Sequence, residues 1–286
     1  MHVPVMVGEC LEYLAVRPDG IYLDATAGLG GHTGAIAARL TTGLVIANDR
    51  DAESLELAKR NTAQWADRIR YHQGSFADLR GALAAAGVER VNGLLADLGV
   101  SRYQLTDPQR GFSLMAEGPL DMRMDRSQGQ TAGEIVNFSS EKELADLIYQ
   151  LGEERRSRRI SRAIVRARPI HTTQRLSRVI EVAVPRTSKL HPATQTFMAL
   201  RMAVNDEQGQ LDRLLETAPD LVQSGGRIVI LSFMSLEDRK VKRSFQALAR
   251  EGKATVLTRH VVRPASEEIN HNPPSRSAKL RAVEMS

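Results

Sequence analysis

The chain has 286 residues, 42% of them hydrophobic, enough to bury a sizeable core in one large domain or two. Its net charge of +5 and pI of about 9.5 permit a nucleic-acid partner without requiring one. The single cysteine, Cys10, excludes an internal disulfide and a multi-cysteine metal centre, and no stretch approaches the roughly 20 apolar residues that span a bilayer. A cytoplasmic protein with no metal site and no membrane partner is expected. The opening Met-His-Val-Pro-Val-Met lacks the basic and then apolar pattern of a signal peptide.

A short helix is expected over 8–15, then a turn at Pro18-Asp19-Gly20. Ile21 to Ala25 reads as a buried strand ending in Asp24, and Gly28, Gly30 and Gly31 follow before a helix over 34–40. Strand, glycine turn and helix start form a cradle for a nucleotide-like ligand. Thr33 stands where a dinucleotide fingerprint needs glycine. An acid ahead of a loose glycine turn suits S-adenosylmethionine (AdoMet), which carries a cationic amino group and a sulfonium and no pyrophosphate. The same residues also fit a tight turn in another α/β protein.

The second strand, 44–48, runs into Asp49, which lies 19 residues beyond Gly30. An acid there commonly takes both ribose hydroxyls, although Asp49 or Asp51 also suits the cap of a helix over 52–63. Strand 69–72 leads to Phe76, either an adenine platform or a core aromatic. Strand 91–96 ends in Asp97. Four successive strand tips thus carry Asp24, Asp49, Phe76 and Asp97, at the end of the sheet where α/β proteins bind ligands.

The alternation then stops. Residues 106–130 are rich in Asp, Arg, Gly, Pro and Met, and a loop this long is usually functional or disordered. From 131 to 206 the pattern is helical, with a capping box at Ser140 and Glu143 and further helices over 154–168, 173–184 and 193–205. Residues 107–207 read as a helical insertion into an α/β domain made of 1–106 and 208–286. After it come helix 207–223, strand 227–232, helix 236–250 and strands near 254–259 and 279–284. These complete a Rossmann-like seven-stranded sheet, with an antiparallel hairpin at its end expected by analogy.

Seven arginines and no acid occupy residues 155–168. Arg155, Arg159, Arg162 and Arg166 step by 4, 3 and 4 and share one face, with Ile160 and Ile164 on the other. A single-sign face of this kind suits phosphate; the alternative is a solvated face paired with Glu153, Glu154 or acids elsewhere. Arg239-Lys-Val-Lys-Arg243 adds a second basic patch.

Several segments together resemble one family. They are Gly30-Gly31-His32, Asp97-Leu-Gly-Val-Ser101, Arg110-Gly-Phe-Ser113, Gly118-Pro-Leu-Asp-Met-Arg-Met-Asp125, Gly152-Glu-Glu-Arg155, His191-Pro-Ala-Thr194 with Arg201 and Asn205, and Ser235-Leu-Glu-Asp-Arg239. Nearly the whole chain is similar to the MraW (RsmH) family of bacterial rRNA cytosine-N4 methyltransferases. The resemblance implies an AdoMet-dependent methyltransferase fold, and methylation of a cytidine in the decoding region of 16S rRNA in the small ribosomal subunit. It also implies AdoMet contacts at Gly30, Gly31, His32, Asp49, Phe76, Asp97 and Gln104. Two departures stand out. Met234 replaces a usual histidine, which removes any catalytic role for a histidine there. Arg102-Tyr103 replaces a usual Ser-Pro pair in the loop between Asp97 and Gln104.

The implied reaction is direct displacement at the AdoMet methyl by an exocyclic amine, a weak nucleophile that must be positioned in line. It needs no cysteine, and Cys10 is read as far from every strand tip. Asp97 is the candidate for orienting the reacting groups, with cofactor binding alone as its other role. Asp121 and Asp125 are weaker candidates, each equally a salt-bridge partner of Arg123 or Arg126. Two rival functions share parts of the pattern. A nicotinamide dehydrogenase is disfavoured by Thr33 and the basic insertion. A non-catalytic ribosome-assembly factor would not need four ligand-bearing strand tips.

Overall fold

The computed structural model describes residues 4–186 and 190–286, which form two compact units, Met1–Gly99 with Gln208–Ser286 and Val100–Glu207. The expected insertion, 107–207, falls inside the second. The first unit begins with α1 (Val7–Leu14), β1 (Ile21–Asp24), α2 (Gly31–Ala37), β2 (Leu44–Asp49), α3 (Ala52–Asn61), β3 (Ile69–Gln73), α4 (Leu79–Ala85) and β4 (Val91–Asp97). The second holds α5 (Arg102–Thr106), α6 (Ala132–Phe138), α7 (Glu141–Gly152), α8 (Ser157–Arg166), α9 (Thr173–Ala183) and α10 (Thr194–Val204). The chain returns to the first unit through α11 (Glu207–Leu221), β5 (Val222–Ser232), α12 (Ser235–Arg250), β6 (Ala254–Val256), α13 (Ser266–His271) and β7 (Lys279–Met285).

The seven strands form one mixed sheet in the order β3-β2-β1-β4-β5-β7-β6. β1 to β5 pair in parallel, and β7 runs antiparallel to both β5 and β6, the expected hairpin. Strands such as Leu44-Val-Ile-Ala are apolar on both faces because helices cover both. Leu79 of α4, Leu214 of α11 and Phe245 of α12 pack on one face; Leu14 of α1, Ile36 of α2 and Leu55 of α3 pack on the other. The strand order reverses between β1 and β4, which makes their carboxyl ends the topological switch point.

Several boundaries differ from expectation. β5 begins at Val222 rather than 227, with an irregular register where Val91 and Gly93 pair with it. β6 stops at Val256 instead of 259. The basic helix, expected over 154–168, is only Ser157–Arg166. Glu153 takes a left-handed φ of 53° as α7 ends, and Glu154 locks the next turn. The Glu154 carboxylate accepts from the Arg156 backbone N–H at 2.7 Å and from its guanidinium at 3.0 Å. Arg155 therefore lies in the turn and not on the helix. Arg168 lies beyond the helix end and donates to the carbonyls of Val136 and Ser139.

The long segment 107–130 is ordered by buried polar side chains rather than by regular structure. Arg110, 1% exposed, donates to the carbonyls of Arg123 and Met124. Asn205 accepts from the Met124 N–H and donates to the Met122 carbonyl, both at 2.8 Å. Asp121 and Asp125 turn inward on their own loop. Asp121 holds Arg123 through two contacts of 2.8 and 3.0 Å, and Asp125 accepts from Ser127 and Gln128. Burial pulls the Asp121 carboxyl up, but the Arg123 guanidinium holds it below the usual carboxylate range.

Gly118 is where two backbone segments meet. A Cβ there would lie 1.8 Å from the Pro108 carbonyl oxygen, a contact only backbone movement can relieve. Gly118→Ala should therefore destabilise the second unit by about 1–3 kcal/mol, the usual cost of overpacking. Hydrogen exchange should show faster exchange across 108–124 and 170–176 with the sheet unchanged. Wild-type protection there would rule out the close approach.

Candidate active site

The glycine turn is fixed by the acids around it. Asp24, at the end of β1, is buried and accepts from the Thr33 hydroxyl at 2.6 Å and the Thr26 N–H at 3.2 Å. Thr33 thus occupies its position as the anchor of the β1 acid. Gly30 has a φ of +84°, and a Cβ on it would meet Thr62 Cγ2 at 2.9 Å. A Cβ on Gly31 would meet Pro4 at 2.8 Å. These two glycines are needed for packing of the chain on itself, whereas an added Cβ at Gly28 would meet nothing nearer than 3.9 Å.

Asp49 is not the helix cap; Asp51 caps α3 by accepting from the N–H groups of Glu53 and Ser54. Asp49 reaches across to the glycine turn instead. Its Oδ2 accepts from the Gly28 N–H at 2.7 Å and its Oδ1 from the Asp51 N–H at 2.9 Å. Beside it, Asn48 is fully buried and joins three segments, a role the sequence does not disclose. Its amide donates to the carbonyls of Ala25 and Gly74, and its oxygen accepts from His72 Nδ1 at 2.9 Å. Phe76 is half-buried and packs against the core cluster that contains Leu79.

Asp97 closes the row. Its backbone N–H donates to the Thr26 hydroxyl at 2.7 Å, which ties β4 to the turn after β1. Its Oδ2 lies 3.7 Å from His32 Nδ1. His32 Nε2 sits 2.9 Å from the Val5 carbonyl, which can only accept, so that nitrogen carries the hydrogen and Nδ1 faces the carboxylate. Asp97 Oδ1 is buried without a hydrogen-bond partner.

Burial pushes the Asp97 carboxyl up to about 6; His32 opposes this, and Asp24 adds to it. Burial also pushes Asp49 up to about 6, against the hydrogen bonds from the Asp51 and Gly28 backbone. The adjacent tips of β2, β1 and β4 thus form an acidic crevice in which the Asp24 charge helps to raise the pKa of both Asp49 and Asp97.

Gln104 belongs to the second unit. It is buried, and its Oε1 accepts from the Ser101 N–H at 2.9 Å in the capping box that starts α5. Cys10 corrects an expectation. It is not remote from the strand tips, because the charges of Asp97 and Asp24 are felt at its thiol. Burial, the larger cause, and those charges both raise its pKa well above the ordinary thiol value. The thiol stays protonated and is a poor nucleophile. Met234 precedes α12, and its N–H and that of Phe233 donate to Glu237. Among the described residues no helix is long and apolar enough to cross a membrane.

The model of the MraW methylase family matches residues 1–286. The chain belongs to that family. It is 66% identical over 285 residues to the ribosomal RNA small subunit methyltransferase H of Solibacter usitatus, covering 100% of both chains. To the protein of the same name from Acidobacterium capsulatum it is 49% identical, over 99% of this chain and 98% of that one. The fold is similar to that of a candidate rRNA-methylase from Clostridium thermocellum, with a TM-score of 0.51 at 12% identity and full coverage of both chains. As an MraW methylase the chain is a methyltransferase, which removes the dehydrogenase reading.

The residues present fit the cofactor of such an enzyme. AdoMet brings a cationic ammonium and a sulfonium, and the crevice offers clustered carboxylates. It also brings hydrogen-bond donors, and Asp97 Oδ1 is a buried acceptor lacking one.

The raised carboxyls give a stability signature. A carboxyl near 6 in the folded protein, against about 3.9 in an unfolded chain, binds more protons when folded across that window. Stability is then highest at the acidic end and is lost as pH rises through 6. At about 1.4 kcal/mol per pH unit, the loss is at most about 3 kcal/mol for each group. The melting temperature without cofactor should rise as pH falls from neutrality through this window, and Asp49→Asn with Asp97→Asn should flatten the rise. A variant profile as steep as wild type would contradict the assignment.

Proposed function

We propose that the chain transfers a methyl group from AdoMet to the exocyclic N4 amine of a cytidine in the decoding region of 16S rRNA, within the small ribosomal subunit in the cytoplasm. The observation that carries the reading is the acidic crevice with its one open carboxylate oxygen, in a chain that matches the MraW methylase family from end to end. Its 66% identical relative is named for small-subunit ribosomal RNA, which supports the substrate class.

When bound, the cofactor supplies an electrophilic methyl group on a positively charged sulfur. The chain's part is to bind and orient. In this reading Gly30, Gly31, His32, Asp49, Phe76, Asp97 and Gln104 form the cofactor set. Asp49 keeps lone pairs free after its two backbone bonds, which suits ribose hydroxyls. Phe76 offers a ring to adenine. Asp97 Oδ1 accepts a hydrogen from the cofactor or from the acceptor amine.

The amine is a weak nucleophile because its lone pair is delocalised into the ring. A carboxylate accepting one of its hydrogens localises that pair and balances the charge that develops. With a pKa near 6, Asp97 is also a better proton acceptor than an ordinary aspartate once the amine sheds its hydrogen. Asp97→Asn keeps the size and removes the charge. If Asp97 acts on the amine, single-turnover transfer to 30S particles stays at least about tenfold slow at saturating AdoMet, or about 1.4 kcal/mol. Full recovery at saturation would leave Asp97 a cofactor ligand only.

The unit Val100–Glu207 takes the RNA-recognition role in this reading, through Arg159, Arg162 and Arg166 on α8 and Arg155 in the turn before it. All four are exposed. Arg162 lies 3.4 Å from Glu141, an exposed pair of little strength. Arg159→Glu with Arg162→Glu should weaken RNA binding and reduce its salt dependence while AdoMet affinity persists. An unchanged salt slope would make this a solvated face. A non-catalytic assembly factor would bind the RNA equally well but leave no methylated nucleoside after incubation with labelled AdoMet.

A further inference from the structure

The first unit carries a second concavity, away from the acidic crevice. A cavity of about 340 Å³ opens between α12 and the chain that follows β6. Phe245 contributes to its apolar floor, and Lys242, Gln246, Thr258, Arg259 and Arg281 line it with polar groups. Its volume lies within the range of about 300–1,000 Å³ typical of ligand sites.

The charge is one-sided. Arg281 is buried and held by Asp238, with contacts of 2.6 and 3.2 Å. That pair is neutral. Lys242 and Arg259 are exposed, and among the described residues neither makes an ion pair. Two cations thus remain at one cavity with no acid opposite them.

The position is as informative as the charge. Arg281 on β7 pairs with Ile230 on β5, and the next residue, Leu231, pairs with Asp97 on β4. The cavity is therefore nearly level with the acidic crevice. Three strand spacings separate β4 from β6, roughly 14 Å at about 4.8 Å each. That distance suits a second contact on the same extended strand. The exposed Arg239 and Arg243 lie on the same helix as Lys242.

We propose that this cavity takes one nucleotide of the substrate RNA, its phosphate held between Lys242 and Arg259, a few nucleotides along the strand from the base presented at Asp97. The inference rests on the reading of the chain as an RNA methyltransferase and adds a subsite to it. Arg259 can grip a phosphate through two N–H groups, and Lys242 adds a mobile point charge. The apolar floor leaves room for the attached sugar or base.

The test uses the full chain and a single-stranded fragment of small-subunit rRNA. Lys242→Glu with Arg259→Glu is compared with the milder Lys242→Gln with Arg259→Gln, each checked by thermal melt. RNA affinity is measured by fluorescence anisotropy from about 50 to 200 mM salt. The charge reversal should weaken binding about tenfold, and the neutral pair less. The slope of log affinity against log salt should shrink by about 0.7 for the loss of one single-strand phosphate contact. AdoMet affinity by calorimetry should stay at the wild-type value.

Wild-type RNA affinity and salt slope in the folded variants would overturn the proposal. Should the charge reversal fail to fold, the glutamine pair decides alone. Titration with inorganic phosphate and with a mononucleotide separates the sources. Saturable binding of either, lost in variants that still bind RNA normally, would mark a small-anion site and overturn the RNA assignment. Wild-type protein that binds the RNA but transfers no methyl group would overturn the reaction reading, while the affinity comparison still judges the cavity.

Discussion

Three carboxylates stand side by side where β2, β1 and β4 end, and keeping them there is the constraint on which the site depends. A buried carboxylate away from water is costly unless hydrogen bonds compensate it. Asp24 is met by Thr26 and Thr33, and Asp49 by Gly28 and Asp51. The glycine turn therefore owes its shape to the acids on either side of it as much as to its glycines. Asp97 is the exception, with its buried Oδ1 left without a hydrogen bond. A cluster hydrogen-bonded at Asp24 and Asp49 but open at Asp97 Oδ1 is organised for a cationic, hydrogen-bonding ligand.

The second unit solves a related problem with a different device. Its segment 107–130 has little regular structure, so its backbone groups need side-chain partners. Arg110 and Asn205 supply them from buried positions, and Gly118 allows the chain to pass against Pro108. The octapeptide 118–125 is the most distinctive stretch of the sequence, yet its polar side chains serve the loop itself. Asp121 clamps Arg123, Asp125 caps a turn, and Met122 and Met124 are buried.

Charge in this protein is sorted by place. A chain of net +5 concentrates acids at the switch point of the sheet and leaves cations on α8 and along α12. The first arrangement favours a cation in a confined crevice, where burial strengthens the field. The second favours an extended polyanion, whose attraction to exposed arginines and lysines is screened by salt. A cofactor and a nucleic acid can therefore be bound by one chain without competing for the same groups.

Much of this was legible in the residues. Apolar runs set between helical patterns determined the parallel strands and the sheet, because buried strands read the same on both faces. The acids that end the first, second and fourth runs marked the crevice. The resemblance carried by Gly30-Gly31-His32 and by 118–125 gave the family. Tertiary structure alone decided what those residues touch. Spacing put Arg155 on a helix face, but the Glu154–Arg156 contact makes a turn there. Asp49 or Asp51 each suited the cap, and only the approach of β2 to the glycine turn gave Asp51 the cap and Asp49 the Gly28 N–H. Asn48 reads as one more residue of a strand until Ala25, Gly74 and His72 are brought around it. Local pattern determines which elements form, because propensity and periodicity act over a few residues. Hydrogen-bond partners and raised pKa values depend on groups tens of residues apart, and only the folded chain brings those together.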